Sequence, residues 1–164
     1  FTDTHLSVAI TITSAFDAVS EKIEPFAPLS SRRFETIRKL SKAGIFIGIL
    51  MMPMLPFILD TKKNVQTIIQ KAKDAGASYI FPWFSVTMRD GQREYFYQKL
   101  DELYPGIKRQ YQIRYKNIYQ CESPNAGRLY PFFEEECARY GIISRMQDLP
   151  WIHQKDNQSE PGTN

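Results

Sequence analysis

Between Val8 and Ser14 the chain alternates, so that Ile10 and Ile12 fall on one side of an extended segment and Thr11 and Thr13 on the other. A first strand is therefore expected over Val8–Ser14. The prolines of Lys22-Ile-Glu-Pro-Phe-Ala-Pro28 then mark a long loop. Beyond it, Phe34, Ile37 and Leu40 recur at helical spacing and predict a helix from about Ser30 to Ala43, closed by Gly44. Ile45–Met52 is apolar throughout and reads as a second strand, stopped by Pro53 and Pro56. The same punctuation recurs downstream. Val65, Ile68, Ile69 and Ala72 mark a helix ending at Gly76, an apolar strand follows over Tyr79–Phe84, and Leu129, Phe133, Cys137 and Tyr140 mark a helix ending at Gly141. Glycine accepts the left-handed conformation that closes a helix. Ser30 or Ser31, and Asp60 or Thr61, are the expected start caps, with side-chain oxygens that accept orphan backbone N–H groups. A further helix is expected over Gln92–Leu103, through Tyr95, Phe96 and Leu100, and then a strand over Tyr111–Tyr115.

Strands alternating with helices of this length predict βαβ crossovers and a parallel sheet. The run from Ile45 to Leu59 is too short for a spanning helix, which needs about 20 apolar residues, and two prolines break it. A strand buried on both faces fits it better. The fold class is thus α/β. A closed eight-fold barrel takes about 250 residues, so the 164 residues here predict only a partial (β/α) barrel with an open, association-prone edge. One folded unit is expected over residues 1–152. The stretch 153–164 lacks periodicity and core-forming residues and is expected to be a disordered tail.

At 43% hydrophobic and 24% charged the chain has the composition of a globular domain. Two cysteines, Cys121 and Cys137, give no disulfide framework, and without a signal peptide the expected compartment is the reducing cytoplasm, with no membrane association. His5 and His153 are too few and too peripheral for a metal cluster or a catalytic triad. There is no phosphate loop, nucleophile elbow or dinucleotide fingerprint.

The joint order of Thr11-Ile-Thr-Ser14, Ile23-Glu-Pro-Phe-Ala-Pro28, Arg32-Arg-Phe-Glu-Thr-Ile-Arg-Lys-Leu-Ser-Lys-Ala-Gly-Ile45, and Pro53-Met-Leu-Pro56 followed by Asp60 resembles the radical S-adenosylmethionine superfamily. Within it, the chain is similar to spore photoproduct lyase and DNA repair photolyase-like proteins, over roughly Val8 to Gly76. Such enzymes hold a four-iron, four-sulfur (4Fe-4S) cluster on a Cys-x3-Cys-x2-Cys loop, which this chain lacks. Because it begins at Phe1, the expectation is the C-terminal part of a longer parent whose first strands bear the cluster.

The resemblance implies S-adenosylmethionine and the cluster as cofactors of that parent. It places the active site at the carboxyl ends of the strands, as in barrel enzymes generally, and implies DNA as a partner, together with the missing N-terminal part of the barrel. Thr11 and Thr13 match positions that bond the ribose or amino-acid part of the cofactor; the plain alternative is β-branched strand residues. Gly44-Ile-Phe-Ile-Gly48 resembles the strand against which the adenine lies, with Phe46 where isoleucine is common, so that Phe46, Ile47 and Gly48 become cofactor-binding candidates, with Ile49 and Leu50 beyond them. Glu24 and Arg33 are the charged residues within the matched motifs, suited either to the cofactor or to a mutual salt bridge. Lys108, Arg109, Arg114 and Lys116, interleaved with Tyr111 and Tyr115, could bind phosphates and stack on bases, or could form an ordinary solvated surface. The competing class is a non-enzymatic α/β nucleic-acid-binding or protein-interaction module.

Overall fold

A computed structural model describes residues 6–151. The tail expectation for 153–164 lies outside them. The elements run β1 (Ser7–Thr11), α1 (Asp17–Ile23), α2 (Ser30–Lys42), β2 (Phe46–Met51), α3 (Lys62–Ala75), β3 (Tyr79–Pro82), β4 (Ser85–Thr87), α4 (Gln92–Leu103), α5 (Ile107–Tyr115), β5 (Gln120–Glu122) and α6 (Ala126–Tyr140). The first three strands form a parallel sheet in the order β1-β2-β3, with Val8 opposite Ile47 and Ile49 opposite Ile80. After α6 the chain returns beside β3, where Ile80 N–H donates to Ile143 C=O at 2.9 Å and Ile143 N–H donates to Ser78 C=O at 3.0 Å. Among the described residues the sheet is not closed.

Alternation sorts the strand residues onto two unlike faces. Ile47, Ile49, Met51 and Ile80 share a core with Phe34 and Ile37 of α2, Val65, Ile68, Ile69 and Ala72 of α3, and Leu129, Phe133 and Cys137 of α6. On the opposite face Phe46, Leu50, Tyr79 and Phe81 pack with Met52, Ile143, Leu149 and Trp151, and no residue of α1–α6 takes part. Among the described residues, α1–α6 thus cover one side of the sheet only. A second cluster joins Met88, Leu100, Tyr111, Tyr115 and Cys121 around the antiparallel β4–β5 pair and α4–α5, with Phe57 and Ile58 from the β2–α3 connection packed against it. That sub-layer sits at the carboxyl ends of the parallel strands. Met54 N–H donates to the Trp83 and Ser85 carbonyls, and Tyr111 Oη donates to Pro56 C=O at 3.2 Å.

Several expectations are corrected. Tyr111–Tyr115 is helix, not strand: Ile107, Tyr111 and Tyr115 recur every four residues and face the core, whereas Ile113, which an alternating strand would align with the tyrosines, is 67% exposed. The segment after β1 is not all loop, because α1 occupies Asp17–Ile23 and supplies the caps of α2. Asp17 Oδ1 accepts Ser31 N–H at 2.8 Å and Ser20 Oγ accepts Ser30 N–H at 3.4 Å, so neither Ser30 nor Ser31 is the cap and the N-cap position falls on Leu29. At α3 the cap is Thr61, whose hydroxyl accepts Asn64 N–H at 3.1 Å. The first strand ends at Thr11 rather than Ser14. Ile12 N–H still reaches Leu50 C=O, but the backbone of Thr13 and Ala15 is taken by the side chain of Asn64. Gly76 and Gly141 do close α3 and α6 in the left-handed conformation.

Candidate functional site

In α/β folds ligands bind beyond the carboxyl ends of parallel strands, and here those ends are fixed by two buried polar hubs. Asn64, on the first turn of α3, accepts Ala15 N–H at 2.8 Å and donates to Thr13 C=O at 2.9 Å and Leu59 C=O at 3.0 Å, which locks the exits of β1 and β2 together. Asp60 is 2% exposed and accepts from Ser123 Oγ at 2.5 Å and Asn125 Nδ2 at 3.2 Å, tying the start of α3 to the start of α6. A carboxylate taken out of water needs such donors. Lys71 completes the arrangement, donating to Ala15 C=O at 2.6 Å with its ammonium near the rings of Phe16 and Phe34.

The two threonines lie beside this hub. Thr11 ends β1 half-buried on the helix-free face, and Thr13 is 4% exposed just past the ladder. Glu24 and Arg33 do meet: Arg33 Nη2 lies 2.8 Å from Glu24 Oε2, Nη1 donates to Thr11 C=O at 2.8 Å, and Nε donates to Pro28 C=O at 2.9 Å. All three guanidinium nitrogens are engaged by the protein, which makes Arg33 a brace between α2, the proline loop and the end of β1. Since Ile12 N–H faces β2, the two-residue period turns the Thr11 carbonyl to the outer edge of β1, and Arg33 caps that edge.

The three adjacent candidates on β2 separate. Ile47 is fully buried in the helix-side core. Phe46 lies on the other face, edge-on to Trp151 at 5.0 Å between centroids and stacked on Tyr79 at 5.5 Å. Gly48 lies beneath the Tyr79 ring, where any Cβ would collide. The Tyr79 hydroxyl crosses to β1, donating to Val8 C=O at 3.0 Å and lying 2.9 Å from Ser7 Oγ. The amino-terminal half of the helix-free face is therefore filled by aromatic packing, whereas Thr11, Leu50 and Met52 on its carboxyl half stay partly exposed.

Among the described residues no three His, Cys, Asp or Glu side chains group to hold a metal, and no helix is long and apolar enough to cross a membrane. Both cysteines are buried and burial raises their thiols, Cys137 to about 12 with Glu136 adding to the effect, so neither is a ready thiolate. On α5 the tyrosines turn inward. Tyr111 is fully buried and Tyr115 is 4% exposed, so neither presents a ring for base stacking. Past the end of α5, Tyr119 is 53% exposed.

A concavity of about 490 Å³ opens between α1 and α4, lined by Ile23, Phe26, Leu55, Ile58, Tyr95 and Leu103 among others. Sequence reasoning missed this cleft, the Asn64 hub and the Tyr79 crossing, because each joins residues distant along the chain. No protein-family model, curated protein or solved structure matches this chain.

Proposed function

We propose that this chain is the C-terminal part of a radical S-adenosylmethionine protein similar to spore photoproduct lyase, and that its sheet is one sector of a (β/α) barrel. The one-sided helix cover carries the reading. A parallel sheet ordinarily has helices over both faces, and a face covered only by the chain after α6, opposite a helical layer, is consistent with a barrel sector whose remaining strands are not beside it. β1 pairs only with β2 among the described residues, leaving an edge for the missing N-terminal part of the barrel. A shallow concavity of about 360 Å³, lined by Ile10, Thr11, Pro28 and Arg33, lies along that edge.

The cluster does not fit this chain, whose thiols are two, buried and unionised at neutral pH. The 4Fe-4S ligands belong to the rest of the parent. S-adenosylmethionine would lie on the carboxyl half of the helix-free face, where half-buried Thr11 offers a hydroxyl and Leu50 and Met52 an apolar wall, with Thr13, 4% exposed, just past the end of β1. Phe46 and Gly48 would support that surface from below, Ile47 from behind, and Glu24 with Arg33 by bracing the end of β1. With both cofactors bound, the parent would gain a hydrogen-abstracting radical. This chain's residues would orient the adenosine and shape the substrate side. DNA photoproduct repair is the activity the resemblance points to, with DNA phosphates meeting Arg109 and Arg114 on α5 and Lys116 just past its end, all exposed.

In the full-length parent, Thr11→Val with Thr13→Val keeps volume and strand preference while removing two hydroxyls. Two hydrogen bonds worth ~0.5–1.5 kcal/mol each give an S-adenosylmethionine dissociation constant weaker by roughly five- to a hundredfold. Calorimetry showing unchanged binding would move the site away from these threonines. A parent that releases no 5′-deoxyadenosine after anaerobic reconstitution would leave the non-enzymatic module as the better reading.

A further inference from the structure

We propose that residues 144–151 form a strap that lifts off the helix-free face as a unit, hinged just after Ile143, and so gates a concavity at the carboxyl ends of β2 and β3. The concavity has a volume of about 380 Å³. Met52 just past β2, Phe81 in β3 and Trp83 just past it line it together with Ser144 and Met146 of the strap, and residues of α6 add to the lining. In α/β folds that end of the sheet is where ligands bind, so a movable wall there controls access.

The attachment changes at Ile143. That residue is built into the sheet, accepting Ile80 N–H at 2.9 Å and donating its own N–H to Ser78 C=O at 3.0 Å. Beyond it, among the described residues, the backbone hydrogen bonds of 144–151 stay inside the segment: Asp148 N–H donates to Arg145 C=O at 3.1 Å and Leu149 N–H to Met146 C=O at 3.2 Å. A single 3₁₀ turn over Met146–Asp148 buries none of its residues, and Met146 is 62% exposed. Arg145 reaches Glu134 of α6 at 2.9 Å, but both side chains are exposed, and such a pair holds weakly. What fastens the strap is apolar. Leu149, 6% exposed, sits in the cluster with Tyr79 and Phe81, and Trp151 lies edge-on to Phe46 at 5.0 Å.

Two apolar anchors without a backbone ladder are the attachment of a segment that opens below the free energy of global unfolding. The face beneath holds together without them. Tyr79 stacks on Phe46 at 5.5 Å and on Phe81 at 4.9 Å, and its hydroxyl donates to Val8 C=O. The core that carries the helices includes none of residues 144–151. Release of the strap therefore uncovers aromatic surface and one side of the concavity while the sheet and its helical layer stay folded.

The test uses the 164-residue chain without cofactor, so its outcome is independent of the radical-enzyme reading. In Leu149→Cys a thiol is placed under the strap, and Cys137, fully buried in the helix-side core, serves as the reference within the same molecule. Both are exposed to a thiol reagent, and the label at each position is followed by peptide mass. Position 149 is expected to label at least about a hundredfold faster than Cys137, yet more slowly than in the urea-denatured chain, because the strap is closed most of the time. Its rate should change little in dilute urea, since opening exposes little surface. Trp151→Ala is expected to keep the far-UV circular dichroism of the parent and the protection of Cys137, while binding of the apolar dye anilinonaphthalene sulfonate rises several-fold. The proposal is overturned if position 149 labels at the rate of Cys137, which would mean that the strap opens only with the whole fold, or at the rate of the denatured chain, which would mean that it is not closed. It is equally overturned if Trp151→Ala loses its helices or binds the dye no better than the parent.

Discussion

Replacing Gly48 with alanine separates two readings of the same glycine, as a surface for the cofactor's adenine or as room for Tyr79. A Cβ there would enter the Tyr79 ring. That ring cannot move aside freely, because Phe46 stacks on one side at 5.5 Å, Phe81 on the other at 4.9 Å, and the hydroxyl is bonded across to β1. Forcing an extra methyl into such packing costs about 1–3 kcal/mol. Displacing the ring would also break up to two hydrogen bonds at ~0.5–1.5 kcal/mol each. Against this, alanine in a strand recovers about 0.5–1 kcal/mol of backbone entropy relative to glycine. The expected net loss is about 2–3 kcal/mol, which for a domain of this size lowers Tm by roughly 5–10 °C. Urea unfolding of the isolated chain, with no cofactor present, reads it directly. The decisive arm is the double mutant: in a Tyr79→Ala background, Gly48→Ala should become neutral or slightly stabilising, a coupling of about 2 kcal/mol or more. Equal cost in both backgrounds, or a single mutant as stable as the parent, would refute the packing argument.

Two further substitutions probe the sheet and its exits. Ile49→Asp places an unpaired charge at a fully buried position between β1 and β3 and should abolish soluble folding at a cost of several kcal/mol; a melting curve like that of the parent would show that β2 is not interior. Asn64→Leu keeps the size of the side chain but strands Ala15 N–H, Thr13 C=O and Leu59 C=O, for an expected loss of about 3–5 kcal/mol. Faster hydrogen exchange at Ala15 should accompany that loss, and unaltered protection there would show that Asn64 does not organise the strand exits.

What was legible in the chain follows the range over which each signal acts. The helix Gln92–Leu103, the buried run Phe46–Met51 and the glycine stops at Gly76 and Gly141 depend on local periodicity and local backbone conformation, and they lie where the pattern puts them. The helix α5 was misassigned because five residues, Tyr111 to Tyr115, satisfy alternation and the four-residue helical repeat at once. Only Ile107, one turn upstream, breaks the tie. The seven-residue α1 has too few turns for a periodic face and is held by its junction with α2 rather than by propensity. The candidate site divides the same way. That Glu24 and Arg33 could pair was readable from charge; that Arg33 also holds the Thr11 carbonyl, and so caps the edge of β1, depends on a contact across 22 positions. The consequence reaches the proposed function. Strand pairing on the outer edge of β1 can run over Ser7–Ala9 but meets Arg33 at Thr11, so in the proposed barrel any further strand would pair below Thr11. An edge closed at its carboxyl end and open at its amino end would leave the top of the sheet free for a ligand while the strands below complete the barrel wall.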